Sequence, residues 1–241
     1  MRSIVAAIVL LQLSLSIPLK QIPLKSSVEG HEFKVYLTGN ADITFEENGA
    51  RVATKLQIDF SEFQEQFPSI VHSRETGSSC EYRITINGSS LRSVDGRTEA
   101  AAIAKGEVWR CENGKPMEKL ATDSGKVRFE IGVQHTADNW VAFTILPRAM
   151  EGPERLRTAV TTTLAGEQFA EDARRSLGMS FGAQTLTAPL SRDLQSLQPS
   201  VRSVRFVHDA APAVVLEIDA ELLVPPDKLP ALLEWSSRSQ Q

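Results

Sequence analysis

The chain has 241 residues, of which 41% are hydrophobic, and its formal net charge is −4 at pH 7. This length suffices for one domain or a two-lobed one. A mildly acidic chain without a basic run has no overall attraction to nucleic acid or to an anionic membrane surface, so nucleic-acid binding is not expected. The four histidines have no ligand spacing and two cysteines cannot form a four-ligand zinc site, so we expect no metal and no other cofactor.

The first sixteen residues have the anatomy of a secretory signal peptide. Arg2 supplies the positive charge, residues 4–15 form an apolar run, and Ser14 and Ser16 are small residues before a cleavage point. The run is shorter than the roughly 20 apolar residues of a transmembrane helix. We therefore expect a periplasmic or secreted protein with no transmembrane span in its mature chain. An uncleaved anchor and a buried N-terminal element are the alternatives.

The segment 17–30 is rich in proline, lysine and serine, and we expect it to be an extended linker. From Phe33 onward, apolar and polar residues alternate. Asn48-Gly49 separates two alternating runs, at 43–45 and 52–60, and this dipeptide is a strong hairpin signal. Ser61 and Gln64 resemble a capping box, which predicts a short helix that ends before Pro68.

Two cysteines, Cys80 and Cys111, lie at the ends of two further predicted strands, 82–86 and 100–110. An even cysteine count in an exported chain favours a disulfide, because that compartment is oxidising. We expect the two residues to be bonded, with a pair of unbonded buried thiols as the alternative.

Residues 166–181 have the spacing of one long amphipathic helix. Its apolar stripe is a candidate lining for an apolar groove and consists of Phe169, Ala173, Leu177 and Phe181. Alternating strands precede it at 127–133 and 140–146, and a last hairpin follows at 201–224. The predicted fold class is therefore α+β, a mostly antiparallel and strongly curved sheet wrapped around that helix. We place one β-rich domain at 31–235 and a disordered tail at 236–241.

The two ends of this domain show an internal similarity. Residues 43–45 and 56–59 of the first hairpin match residues 204–206 and 216–219 of the last one. Each hairpin leads into a short helix that carries a proline, Pro68 or Pro230. The match is compatible with a duplication, although any two alternating hairpins look partly alike.

A G-x-S-x-G motif is present at residues 178–182, with Ser180, Asp193 and His208 in the chain order of an α/β-hydrolase triad. That chemistry requires a turn from a buried strand into a helix. The residues before Gly178 are charged and helical in pattern, and the chain shows hairpins where a parallel sheet requires β-α alternation. We expect no enzyme, and a serine hydrolase at Ser180 is the remote alternative.

The cysteine-bracketed meander, from Cys80-Glu81-Tyr82-Arg83 to Trp109-Arg110-Cys111, precedes the amphipathic helix and a segment that leads into a hairpin. This order resembles uncharacterised exported proteins of alphaproteobacteria over most of residues 39–223. Long curved strands around one helix also resemble the tubular lipid-binding (TULIP-like) superfamily. That resemblance implies a sheet rolled around a groove for acyl chains, in a single module because the chain is short. It identifies no ligand residues.

Two functions follow as expectations for a non-catalytic envelope protein. The first is a binding module that encloses a lipid or another amphiphilic small molecule between the sheet and the helix stripe. The second is a structural domain with a fully packed core that binds another envelope protein. Protein cores are normally filled to crystal-like density, which favours the second reading, whereas the resemblance favours the first.

Overall fold

The chain forms two antiparallel sheets of five strands each in the computed structural model, which describes residues 14–28, 30–71, 75–136, 141–158, 183–209 and 211–239. The first sheet has the order β1-β2-β3-β10-β9, formed by β1 (Ser14–Val28), β2 (His31–Glu46), β3 (Gly49–Asp59), β9 (Ser200–Val207) and β10 (Val215–Val224). The second sheet has the order β4-β5-β6-β7-β8, formed by β4 (Glu75–Ser79), β5 (Tyr82–Val94), β6 (Arg97–Glu112), β7 (Lys115–His135) and β8 (Val141–Met150). The helices with both ends described are α1 (Ser61–Val71), α2 (Ala183–Thr187) and α3 (Leu229–Ser239).

The predicted fold class is wrong. Two sheets stand where one curved sheet around a long helix was expected, and the longest of the three helices has 11 residues. The predicted helix at 166–181, with its stripe Phe169, Ala173, Leu177 and Phe181, lies outside the described residues. The prediction failed because polarity alternation identifies strands but not their partners. The terminal hairpins pair with each other through β3 and β10, so the middle strands form a sheet of their own.

The first sheet is locally symmetric about its central strand pair. Leu56 lies opposite Ile218, and Ile58 lies opposite Leu216, so the two matching segments face each other around the Gln57–Glu217 pair. The outer strands depart from the sequence match. On β2 the partner of Ile58 is Leu37, not a residue of 43–45, because the β2–β3 hairpin is longer than its counterpart.

The segment predicted as a linker contributes most of β1, which pairs along β2 from Ser14 to Val28. Ile17 of this strand is fully buried. At the other end of the chain, α3 continues to Ser239, past residue 235 where the sequence predicts the domain to end. The backbone N–H and C=O groups of β1 are hydrogen-bonded to β2. No local sequence pattern predicts this pairing.

Helix α1 and an aromatic cluster join the two sheets. Phe143 of β8 contacts Phe60, which follows β3, and Phe206 of β9, at ring-centroid distances of 6.3 and 6.2 Å. Phe63 of α1 packs on Phe33 of β2 at 4.8 Å. Aromatic side chains bury large areas, so this cluster supplies much of the inter-sheet attachment.

Polar contacts complete the junction. The Gln64 side-chain amide on α1 donates to the carbonyl oxygens of Leu91 in the second sheet and of Pro212 beside the first, each at 3.0 Å. Its oxygen accepts the Val214 backbone N–H at 2.7 Å. The bonds to Leu91 and Val214 are partly buried and the bond to Pro212 is exposed, and together they fix how α1 sits between the sheets.

The predicted disulfide is confirmed. Cys80, in the turn between β4 and β5, is bonded to Cys111 near the end of β6, and their Cα atoms are 6.1 Å apart. The bond ties the far end of the long β6–β7 hairpin to the neighbouring strands.

Candidate functional site

The second sheet has one face against the core and one face open to solvent. Ile84 of β5, Ala104 of β6 and Val127 of β7 point inward and are buried. Because side chains alternate along a strand, their neighbours in sequence project outward. The outward residues carry an unusual charge distribution.

The outer face of this sheet is strongly basic, and we call it the basic face. Within strands β5 to β8, three carboxylates whose side chains are described lie on it, Glu99, Glu107 and Glu130, and a fourth, Glu151, pairs with it at the edge. Against these four stand eight basic residues, namely Arg83, Arg92, Arg97, Lys105, Lys119, Lys126, Arg128 and Arg148. The face therefore has a surplus of four positive charges in a chain whose net charge is −4. The rest of the molecule carries a net charge of −8.

A cleft of about 360 Å³ opens at the β8 side of the basic face, where β6 begins, between Arg97, Glu99, Arg128, Glu130 and Arg148. Arg148 donates to Glu130 at 2.5 Å. Arg128 lies 3.6 Å from Glu151 at the edge of the face. Glu99 and Glu130 lie directly opposite each other on β6 and β7, a like-charge pair that depends on the surrounding cations.

One end of the basic face is organised around Trp109. The Arg83 guanidinium and the Lys119 ammonium lie 5.5 and 5.3 Å from the indole centre, within the range of cation–π attraction. Lys119 and Lys105 both reach Glu107, at 2.7 and 3.2 Å. Hydrogen bonds from these lysines hold the pKa of Glu107 below its ordinary value. The cations at this end are thus held in defined positions.

Apolar side chains are interspersed with the cations. Ile103 of β6 is 48% exposed and Leu146 of β8 is 51% exposed. Large apolar groups on a solvent-facing sheet surface gain free energy when a partner covers them. The basic face therefore combines a positive field with apolar anchors.

The outer face of the first sheet has a different electrostatic character. Glu217 is 4% exposed and accepts hydrogen bonds from Arg205 at 3.0 Å and from Gln57 at 3.4 Å, with Lys55 at 3.2 Å. Glu221 lies between Arg51 and Arg202 at 3.1 and 3.0 Å. These charges neutralise one another within the sheet, so little net field remains to attract a partner.

The buried carboxylate of Glu217 responds to two opposing effects. Burial alone would raise its pKa, but the bonds from Arg205, Lys55 and Gln57 outweigh burial and lower the pKa. The folded chain therefore prefers this group charged.

We expect Glu217→Gln to destabilise the chain by about 1 kcal/mol at pH 7 and by less in acid. A lowered folded-state pKa means that the carboxylate stabilises the fold above its ordinary value of 4.5 and stops doing so as the pH falls through the lower native value. Urea denaturation at pH 7 and at successive values below 4.5 should show the difference from wild type shrinking. A difference that widens on acidification would contradict this assignment.

The other predicted site residues are not assembled in the described structure. Ser180 lies outside the described residues, as does the helix stripe. The His208 ring nitrogen Nδ1 instead lies 2.7 Å from the Ser93 hydroxyl oxygen, at the junction of the sheets. Asp193 lines a separate cleft beside Trp235.

Metal-ligand clusters and membrane-spanning helices are both absent from the described residues. No group of three or more histidine, cysteine, aspartate or glutamate side chains could hold a metal ion there. None of the helices in this part of the chain has the length and hydropathy needed to cross a bilayer.

Sequence reasoning missed the basic face. The relevant signal is the strand parity of residues 97, 99, 101, 103, 105, 107 and 109, which read Arg, Glu, Ala, Ile, Lys, Glu and Trp. These alternate residues of β6 predict one solvated face of that strand. The strand order is needed to show that cations of β5, β7 and β8 lie on the same face.

Comparison of the chain with protein-family models, with curated protein sequences and with solved structures gives no match. The geometry of the basic face is therefore the basis for the functional argument.

Proposed function

We propose that the chain is a non-catalytic lipid-binding module of the cell envelope that docks on anionic bilayer surfaces through its basic face. The observation that carries the proposal is the surplus of four positive charges on that face, together with its exposed apolar residues. Anionic lipid surfaces attract basic residues, and apolar side chains enter the interfacial region.

The magnitudes favour reversible binding. A basic residue near an anionic bilayer contributes about 1 kcal/mol, so a surplus of four contributes about 4 kcal/mol. Covering the exposed halves of Ile103 and Leu146 adds about 1 kcal/mol each. The total of about 6 kcal/mol corresponds to a dissociation constant of tens of micromolar. Such binding is sensitive to ionic strength because the charges are exposed.

The described core supports a surface site for lipid. The aromatic cluster between the sheets has ring centroids 4.8 to 6.4 Å apart, so these rings pack directly against one another. An interior acyl site would use the stripe Phe169, Ala173, Leu177 and Phe181, which lies outside the described residues. The proposal therefore places the lipid on the face whose charges and exposure are described.

Vesicle co-sedimentation tests the proposal. The chain should bind vesicles that contain phosphatidylglycerol and should bind neutral phosphatidylcholine vesicles weakly, with the difference lost in 0.5 M salt (about a 4 Å screening length). The triple variant Arg92→Gln, Arg97→Gln, Lys126→Gln removes three cations that have no ion-pair partner among the described residues. We expect affinity to fall about fivefold for each charge removed.

The matched control removes three exposed lysines from the first sheet, as Lys20→Gln, Lys25→Gln, Lys34→Gln. It makes the same change in net charge, so a purely global charge effect would weaken binding equally. An equal loss in the two variants, or equal binding to neutral vesicles, would show that the basic face is not the docking surface. Lipid that co-purifies with the triple variant would point to an interior site.

A second candidate function is binding to another envelope protein through the stapled end of the β6–β7 hairpin. Met117 and Leu120 are 59% and 58% exposed there, close in sequence to the disulfide. Both are extra residues at shifts in the β6–β7 register, where regular pairing is interrupted. Cross-linking of the native envelope should capture a protein partner with the wild type and not with the double variant Met117→Ser, Leu120→Ser, which should bind vesicles as the wild type does. Identical cross-linking by the two would contradict this second function.

A further inference from the structure

Two charged side chains of opposite sign in the cleft of the basic face, Arg97 and Glu99, do not form an ion pair with each other. Arg97 and Glu99 are two residues apart on β6, so they project from the same side of the sheet. Neither has an ion-pair partner among the described residues. A free guanidinium and a free carboxylate thus line the same cleft of about 360 Å³.

The cleft contains three guanidinium groups, those of Arg97, Arg128 and Arg148. Arg148 is held in place by Glu130, and Arg128 lies near Glu151. Guanidinium groups donate paired hydrogen bonds that match the geometry of phosphate oxygens. Three guanidinium groups that line one cleft suit an anion with several oxygen acceptors, such as a phosphate group.

The Glu99 carboxylate restricts which phosphate can enter. An ionised carboxylate only accepts hydrogen bonds, so a bare phosphate beside it would be repelled. A ligand that carries hydroxyl groups next to its phosphate removes this conflict, because the hydroxyls donate to Glu99 while the phosphate contacts the arginines. The volume of the cleft is at the lower end of the range for small-molecule sites, which suits one small headgroup.

We propose that this cleft is a binding site for a polyol phosphate, such as the glycerophosphate headgroup of an anionic lipid. This inference rests on the proposed function, because it specifies which lipid headgroup the basic face binds. The arginines bind the phosphate, and Glu99 distinguishes a hydroxyl-bearing headgroup from others of equal charge. A soluble polyol phosphate has the same chemistry, and the experiment separates the two sources.

The first arm compares vesicles of equal surface charge that contain phosphatidylglycerol or phosphatidylserine. Wild-type protein should bind the phosphatidylglycerol vesicles about tenfold more tightly, the effect of one or two hydrogen bonds to a charged group. Glu99→Gln should lose the preference, because it removes a negative charge and so raises affinity for phosphatidylserine vesicles about fivefold while the charge-assisted bonds to the glycerol hydroxyls are lost. Arg97→Gln should weaken binding to both kinds of vesicle and also reduce the preference.

The second arm titrates sn-glycerol 3-phosphate, with inorganic phosphate as the control, and follows the Arg97 and Glu99 backbone amides by NMR. Shifts caused by glycerol phosphate but not by inorganic phosphate support the site, and they do so even if vesicles do not bind, in which case the ligand is soluble. Vesicle binding without headgroup preference and without such shifts overturns the site while leaving the basic-face function intact. A preference for phosphatidylethanolamine would also overturn it, because an ammonium would then be the partner of Glu99.

Discussion

Replacement of Phe143 by alanine is expected to destabilise the chain by about 3–5 kcal/mol, the cost of removing a buried phenylalanine from a packed core. Phe143 of β8 is 5% exposed. Its ring contacts Phe206 of β9 in the first sheet and Phe60, which directly follows β3 of that sheet. The substitution leaves a cavity where the sheets meet. Urea denaturation followed by fluorescence and by circular dichroism should show one transition, displaced to lower urea in the variant.

The matched control is Leu146→Ala on the same strand. Leu146 is 51% exposed on the basic face, so its removal should change stability by no more than about 0.5 kcal/mol. Two separate transitions, of which Phe143→Ala shifts only one, would show that the sheets unfold independently. The aromatic cluster would then not hold the two sheets together as one cooperative unit.

The second large effect concerns the disulfide. The double variant Cys80→Ser, Cys111→Ser opens a loop with a sequence separation of 31 residues, which corresponds to about 3–4 kcal/mol in the chain-entropy account. We expect a fall of about 10 °C in the melting temperature for a chain of this size. The double replacement avoids a free thiol that would form mixed disulfides and complicate the comparison.

Reduction provides the internal control for this prediction. Wild-type protein in reductant should melt at the temperature of the double variant, and the variant itself should not respond to reductant. A wild type that keeps its melting temperature after complete reduction would show that strand pairing alone holds the hairpin end. In that case the β6–β7 register, not the bond between Cys80 and Cys111, organises the Trp109 end of the basic face.

The basic face illustrates how net charge misleads. A chain of net charge −4 predicts no attraction to an anionic surface, yet the eight cations of the face outnumber its four carboxylates. Attraction at short range depends on the local field, because screening limits each charge to about 8 Å at physiological salt.

Local pattern was sufficient to predict several features of the chain. Alternation predicted the β2–β3 and β9–β10 hairpins, since one face of each strand is buried and the other solvated. Helix α1 begins at Ser61, as the polar pair Ser61 and Gln64 predicted, and the Ser61 hydroxyl donates to the Asp59 carboxylate there. The predicted end before Pro68 is wrong, because the helix continues through Pro68 to Val71. The disulfide was predicted from the even cysteine count together with the expectation that the chain is exported to an oxidising compartment, and the bond itself is confirmed.

Long-range pairing was not encoded in any such local signal. The contact between β3 and β10 joins residues about 160 positions apart, and every alternating strand offers an equally good edge to every other. This one pairing divides the strands into two sheets. The β3–β10 pairing places Glu217 beside Lys55, and the β6–β7 and β7–β8 pairings of the other sheet bring Arg97, Arg128 and Arg148 to one cleft. The alternation of side chains along a strand predicts which face of the sheet a charged residue occupies. Only the tertiary fold determines which residues of other strands lie beside it and whether one of them neutralises its charge.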